Sequence, residues 1–207
     1  MEKSEKFWDK SAPGYDKEEM KDKEVRMKIL SGTRQYLKKQ DAVLDFGCAT
    51  GILANEIAGD VYAVQGIDIS AEMIRIAQRN AQARSIRNVD YSQSSLFDEQ
   101  FKPGSFDVVL GIYLLHLLDD MPGALKRIHT LLKPGGLFIS VTPCFGKKSV
   151  TGFALSLLSK TGMIPALSLL GVDDLQGAMT AAGFRIAVSE CLRQQGRQYF
   201  IVAKKSS

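Results

Sequence analysis

The chain has 207 residues, 27 of them Lys or Arg and 23 Asp or Glu, for a formal charge of +4, with 45% hydrophobic and 24% charged residues. A chain of this length can bury roughly 70% of the surface it exposes when unfolded, so one domain needs no metal or disulfide staples. Disordered, collagen-like and disulfide-scaffold classes are excluded, and a small positive balance without Lys/Arg blocks argues against stable nucleic-acid binding.

In chain order, residues 1–40 are charged and read as an N-terminal helical cap. Lys17–Lys39 forms a solvated helix whose Val25, Ile29 and Leu30 face the core. Short apolar runs then alternate with helical patterns. Ala42–Phe46 reads as a buried strand ended by Gly47, Ile52–Ala58 as a short helix and Val61–Ile69 as a second strand. Ser70 is a good N-cap for a helix over Ala71–Ala83, on which Met73, Ile74 and Ala77 make one apolar stripe, and Asn88–Ser92 follows as a third strand. Phe106–Leu110 is the fourth strand. Met121–Leu132 is a helix stopped by the turn Lys133-Pro134-Gly135-Gly136, and Leu137–Val141 is a fifth strand of continuous apolar type. Strands alternating with helices imply a mostly parallel α/β sheet with right-handed crossovers.

The last third departs from this rhythm. Asp173–Ala182 reads as a helix, and Phe184–Leu192 and Tyr199–Ala203 as two strands joined by a loop short enough to force an antiparallel hairpin. Thr151–Leu170 is nearly apolar all round. Its simplest reading is a pair of cap helices over the sheet; the alternative is a lid that contacts lipid or admits a greasy acceptor. Lys160, Gly152, Gly162 and Pro165 interrupt it, which argues against a membrane span.

The most informative segment is Val43–Ala54 (VLDFGCATGILA). A small-residue turn between a buried strand and a helix lets backbone approach a ligand, and free amides at the helix start favour a carboxylate or phosphate. A dinucleotide fingerprint would place glycines at 47, 49 and 52, but Ala49 and Ile52 stand at two of these positions, and no Lys follows Gly51 as a phosphate-cradling loop requires. Twenty-three residues after Asp45, the second strand ends Gly66-Ile67-Asp68-Ile69. An acidic residue there points into the crevice at the carboxyl edge of the sheet and can accept hydrogen bonds from both hydroxyls of a ribose.

With these residues the sequence resembles the class I S-adenosylmethionine-dependent methyltransferases over about Phe7 to Lys204. The specific pieces are Val43–Gly51, Gly66–Ser70, Phe106–Leu118 and Leu131–Thr142 (LLKPGGLFISVT). It is closest to the small-molecule branch with ubiquinone/menaquinone-type members, whose N-termini look like Phe7–Asp16. The resemblance implies a Rossmann-like, doubly wound, mostly parallel seven-stranded sheet with a C-terminal antiparallel hairpin. It divides one domain into a cap (1–40), a cofactor-binding core (41–142), a lid or acceptor-side insertion (143–182) and the hairpin (183–204). It further implies S-adenosyl-L-methionine as cofactor: Gly47, Ala49 and Gly51 against the methionine moiety, Asp45 positioning its amino group, Asp68 on the ribose and Ile69 beside the adenine. Family members commonly carry a carboxylate on the adenine amino group before the fourth strand. Here Ser95 and Leu96 hold that place, leaving a hydroxyl or backbone contact. Gly111 and Ile112 would line the cofactor and acceptor side, with Tyr15 closing over the methionine end.

The expected activity is in-line methyl transfer to a small, apolar or amphipathic acceptor, with His116 as candidate base and Tyr113 as second candidate. His116 also reads as a buried, hydrogen-bonded core residue. Rival readings are a protein or nucleic-acid methyltransferase, although the tetrapeptide [DNS]PP[YFW] is missing where Gly111–Leu114 stands, and a non-catalytic cofactor-binding module. Cys48, Cys144 and Cys191 lack metal or disulfide spacing, with Cys48 as small filler in the turn. The opening Met1–Lys6 lacks an apolar signal region, so the cytoplasm is the default compartment. Oligomeric state is left open.

Overall fold

In the computed structural model, residues 2–146, 168–194 and 197–206 are described. Ala42–Phe46 forms β1, and four of its five residues are buried because helices cover both faces of the sheet around it. It pairs in parallel with β2 (Ala63–Asp68) on one side and β4 (Phe106–Ile112) on the other. Beyond β2 lies β3 (Val89–Gln93), and beyond β4 lies β5 (Leu132–Pro143), both parallel to their neighbours. The antiparallel β7 (Gln198–Lys205) adds to β5 and carries the edge strand β6 (Phe184–Arg193). The seven-strand order β3-β2-β1-β4-β5-β7-β6 therefore reverses direction of growth between β1 and β4, and the crevice outside their carboxyl ends is where such sheets bind ligands.

The layers follow from apolar stripes. Helices α2 (Lys23–Arg34), α3 (Ile52–Ile57) and α4 (Ala71–Ala83) bury Val25, Ile29, Leu30, Ala54, Ile57, Ile74 and Ala77 on one face. Helices α5 (Met121–Leu131) and α6 (Val172–Ala181) bury Leu125, Ile128, Leu131, Leu175 and Met179 on the other. Helix α1 (Glu2–Glu19) crosses the end of α4. Its Trp8, Ala12 and Tyr15 pack with Met73 and Ile76, and Asp9 accepts from Ser70 Oγ at 2.6 Å and from Glu72 N at 3.2 Å. Ser70 is itself the α4 N-cap, accepting from Met73 N at 3.1 Å.

Three sequence expectations are corrected. Lys17–Lys39 is not one helix. The chain breaks after Glu19 and restarts at Lys23, where the Asp22 side chain accepts from Val25 N at 3.4 Å and pairs with Arg193, tying the start of α2 to the end of β6. Lys133–Gly136 is not a turn between a helix and a strand. β5 begins directly at Leu132, which pairs with Phe106, and the register shifts before Val108 meets Leu137. The segment is a bulge, with Gly135 at φ +73°, and full burial of Leu132 recruits it into the sheet. Finally, β4 runs through Gly111 and Ile112 rather than ending at Leu110. The reading of residues 151–170 as cap helices or a lipid-contacting lid falls, up to 167, outside the described residues. Among the described residues no helix is long and apolar enough to cross a membrane.

Candidate active site

The β1–α3 turn is held by its own amides. Gly47 and Cys48 donate to Ile67 O at 2.8 and 3.0 Å, Ala49 donates to Asp68 Oδ2 at 3.1 Å, and Gly51 donates to Cys48 O at 2.9 Å. The expectation of free amides waiting for an anion is therefore corrected at these four residues: the turn spends them on β2 and on itself. Gly47, Ala49 and Gly51 all have positive φ, of 75°, 48° and 76°. At Gly51 a Cβ would meet Tyr91 Oη at 2.4 Å, so this glycine serves the packing beneath the turn. Tyr91 Oη lies 3.2 Å from Gly51 O and 2.9 Å from Asn55 Oδ1, locking β3 under the start of α3.

Two cavities meet above this turn and share Tyr15, Gly47, Ala49, Ile112 and Tyr113. The larger, with about 1170 Å³ of space open to solvent, is walled by Asp68, Ile69, Met73, Ser95, Leu96 and Phe97, and by Leu114, Leu117 and Leu118 opposite. Trp8 of α1 also lines it. Asp68 sits at its wall with Oδ1 accepting from Ser70 N at 2.9 Å, its pKa raised by burial against the pull of its backbone hydrogen bonds. Ser95 Oγ accepts from Phe97 N at 3.2 Å, and Leu96 is buried.

The smaller cavity, with about 630 Å³ of space that includes open solvent, adds Asp45, Glu19, Arg26, Cys48, Thr50 and Glu56. Asp45 is 3% exposed, and burial first, then the nearby Asp68 charge, push its carboxyl up to about 7. Burial raises Glu19 as well, with the Arg26 charge pulling the other way. The hydroxyls of Tyr15 and Tyr113 are held protonated far above neutrality, by burial and then by Glu19. Tyr113 Oη is also fixed 3.1 Å from Gln198 Oε1.

Three expected site residues lie away from both cavities. Gly51 is under the turn. Gly111 is inside β4, where a Cβ would come within 3.1 Å of the Phe138 ring, so its glycine serves sheet packing. His116 sits on a 3-10 turn (Leu115–Leu117). Its Nδ1 is buried without a partner, and burial lowers its pKa to about 4. Conversely, Trp8, Glu19, Arg26 and Phe97 line the cavities without having been singled out from sequence. Only their position in the charged N-terminal stretch, or next to Leu96, could have drawn attention to them. No cluster of three His, Cys, Asp or Glu among the described residues could hold a metal ion, and the three cysteines are free.

Comparison with known proteins agrees with this architecture. A family model described as a methyltransferase domain matches residues 17–188. Human NDUFAF5, named a mitochondrial arginine-hydroxylase, is 30% identical over 193 residues, which cover 89% of this chain and 53% of that protein. A ubiquinone biosynthesis O-methyltransferase from Albidiferax ferrireducens is 39% identical over 97 residues, 45% of this chain and 38% of that protein. The chain thus spans about half the length, or less, of these curated relatives. Among solved structures, Haemonchus contortus phosphoethanolamine N-methyltransferase 2, in complex with phosphomonomethylethanolamine and S-adenosylhomocysteine, superimposes with a TM-score of 0.72. At 17% identity over 87% of this chain and 53% of that one, this is a likeness of fold. With the family model spanning most of its length and the crevice set at the β1/β4 reversal, the chain belongs to the methyltransferase-domain family.

Proposed function

We propose that this chain is an S-adenosyl-L-methionine-dependent methyltransferase acting on a small, apolar or amphipathic acceptor. One observation carries the reading: a nucleoside-sized cleft with Asp68 in its wall runs, across Gly47 and Ala49, into a second cavity holding Asp45. The residues suit the cofactor. A carboxylate offers about four acceptor positions, and Asp68 uses two on Ala49 N and Ser70 N, leaving capacity for two ribose hydroxyls. Ile69, Met73 and Leu96 give the adenine an apolar bed, and Ser95 offers a hydroxyl at its edge. Asp45, at about 7, ionises fully once an ammonium group stands beside it.

When bound, the sulfonium supplies an electrophilic methyl group, so the chain's own task is to position and to exclude water. Trp8 and Tyr15 reach from α1 over the cleft, and Ile112 and Tyr113 at the end of β4 form the wall where the two cavities join. In this reading Tyr113, its hydroxyl proton donated to Gln198 Oε1, orients the acceptor by accepting a hydrogen bond on its oxygen. His116, outside both cavities with its pKa near 4, shapes the loop rather than moving a proton. We keep as part of this proposal the divisions expected from sequence, cap 1–40, core 41–142, insertion 143–182 and hairpin 183–204, although β5 extends to Pro143 and β7 to Lys205.

Titration calorimetry with S-adenosylhomocysteine and with NAD tests the cofactor. Binding of the first alone is expected, and binding of NAD alone would overturn the assignment. Methyl transfer from labelled S-adenosylmethionine across small phenols, carboxylic acids and amphipathic quinols then tests the acceptor class. A second reading rests on the 30% identity to NDUFAF5 across 89% of this chain: modification of a protein arginine. Mass spectrometry of arginine peptides incubated with the protein distinguishes an added methyl group from an added oxygen.

A further inference from the structure

Glu19, the last residue of α1, is half-buried and lines the smaller cavity together with Tyr15 and Tyr113. Among the described residues its carboxylate makes no hydrogen bond and no ion pair, and Arg26 acts on it only at longer range. The other acids around the crevice have partners or tasks. Asp68 accepts from Ala49 N and Ser70 N, Glu56 pairs with Arg84 at 3.2 Å, and Asp120 caps α5 by accepting from Gly123 N at 2.9 Å. Asp45 answers the cofactor's ammonium group in the proposed function, and Asp119 is exposed at the wall of the larger cavity. Glu19 is thus the sheltered carboxylate left without work. Burial raises its carboxyl above the usual range, Arg26 opposes the rise, and Asp16 and Asp22 add to it, which makes it a stronger base than a solvated glutamate.

Glu19 stands close to the wall where the two cavities join: of the surrounding charges, it acts most on the hydroxyls of both Tyr15 and Tyr113. Tyr113 donates its proton to Gln198 Oε1 at 3.1 Å, which leaves its oxygen as an acceptor. The junction therefore presents a carboxylate and a phenol oxygen, both accepting, to the group that enters. A hydroxyl brings one proton for these two acceptors, and an ammonium brings three. Charge selects in the same direction. The larger cavity is lined by Asp68, Asp119 and Asp120 without Lys or Arg, and the smaller by Asp45, Glu19 and Glu56 against Arg26, in a chain whose net charge is +4. A cleft of this sign concentrates cations.

We propose that the methyl acceptor is an amphipathic primary amine and that Glu19 is its receptor and general base. The proposal rests on the reading that the crevice takes S-adenosylmethionine, and it narrows the class of acceptor. The ammonium form binds between Glu19 and the Tyr113 oxygen, with Ile29, Leu30 and Ile112 as an apolar wall for its carbon chain. Glu19 takes one proton from it. The lone pair this frees forms the new N–C bond as the methyl group's bond to sulfur breaks, the electron pair of that bond staying on sulfur. Glu19 then passes its proton to water. An ammonium and a sulfonium enter, and an N-methylammonium and one proton leave, so charge balances.

Calorimetry on the full chain, saturated with S-adenosylhomocysteine, compares benzylamine and hexylamine with benzyl alcohol and hexanol, which match them in shape and lack the charge. The amines are expected to bind at least about tenfold more tightly than the alcohols, and Glu19→Gln to weaken the amines roughly ten- to hundredfold while S-adenosylhomocysteine binds as to the wild type. With labelled S-adenosylmethionine the same variant is expected to methylate the amines about a hundredfold more slowly, or worse. Alcohols that bind as well as amines, a variant that binds or methylates amines like the wild type, or a wild type that methylates neither amine overturns the proposal. So does a variant that loses S-adenosylhomocysteine, since Glu19 then serves the cofactor. A wild type that does not bind S-adenosylhomocysteine refutes the cofactor reading instead. Should Glu19→Gln fail to fold, the wild-type comparison of amine with alcohol, which needs no variant, decides.

Discussion

At the scale of single residues, the two carboxylates of the crevice are asked to do different things. Asp68 is held by Ala49 N and Ser70 N, so its orientation is set before any ligand arrives. Asp68→Ala is expected to weaken S-adenosylhomocysteine binding by about 1.5–3 kcal/mol for each ribose hydrogen bond lost; an unchanged affinity by calorimetry would remove its ribose role. Asp45 is buried and raised from 3.8 to about 7, by burial first and the Asp68 charge second. Between those values the folded protein keeps a proton that the unfolded chain has released. Stability is therefore fully present below 3.8 and declines as the pH rises through about 7, with a slope approaching about 1.4 kcal/mol per pH unit. Asp45→Asn should lose that slope and gain on the wild type above neutrality, as melting temperatures across a pH series will measure. Both aspartates stand out in the sequence because a charge at the end of an apolar strand is conspicuous. Arg26 does not, since one arginine in a charged helix looks like any solvated residue until α2 packs beside the turn.

At the scale of elements, the β1–α3 turn depends on what lies beneath it. Gly51→Ala would set a Cβ 2.4 Å from Tyr91 Oη at a φ of +76°. A cost of about 1–3 kcal/mol is expected. For a chain of this size that lowers the melting temperature by about 2–4 °C per kcal/mol. Gly59→Ala, with nothing within 4 Å of its Cβ, is the control and should stay within about 0.5 kcal/mol. Elements with a clean period were legible in advance: α4 with its Ser70 cap, the buried strands β1 and β4, and the C-terminal hairpin. The misread ones were decided by partners distant in sequence. Lys133–Gly136 has turn chemistry and still lies within β5, because Leu132 gains a fully buried place against β4. The break between α1 and α2 is fixed by Asp22, whose carboxylate caps α2 and pairs with Arg193, far along the chain.

For the whole molecule, a ligand bound across β1, β2 and β4 ties together elements that otherwise meet at the turn. Binding to the folded state alone stabilises it by mass action, about 2.7 kcal/mol at a ligand concentration one hundred times Kd. S-adenosylhomocysteine at that excess should raise the melting temperature, and NAD should leave it unchanged; the reverse pattern in a thermal-shift series would reject the cofactor. The fold tolerates changes of chemistry because the sheet supplies the crevice while loops and helices supply the walls, so acceptor choice must be read from the walls.

Local periodicity, the glycine turn and the spacing of Asp45 and Asp68 were enough to determine a mostly parallel α/β sheet and an acidic crevice at its carboxyl edge, because these depend on which residues alternate, cap and bend over a few positions. The seven-stranded, doubly wound order came from the family resemblance and is seen in the strand order itself. Tertiary structure decided which further side chains join the expected ones at that crevice. It drew Trp8, Glu19 and Arg26 from the cap onto the site beside the expected Tyr15, moved Gly111 and His116 off it, and engaged the turn's amides in bonds to β2 and within the turn. The physical reason is that burial and hydrogen-bond satisfaction are set by neighbours in space, and for these residues the neighbours come from strands and helices tens of residues away.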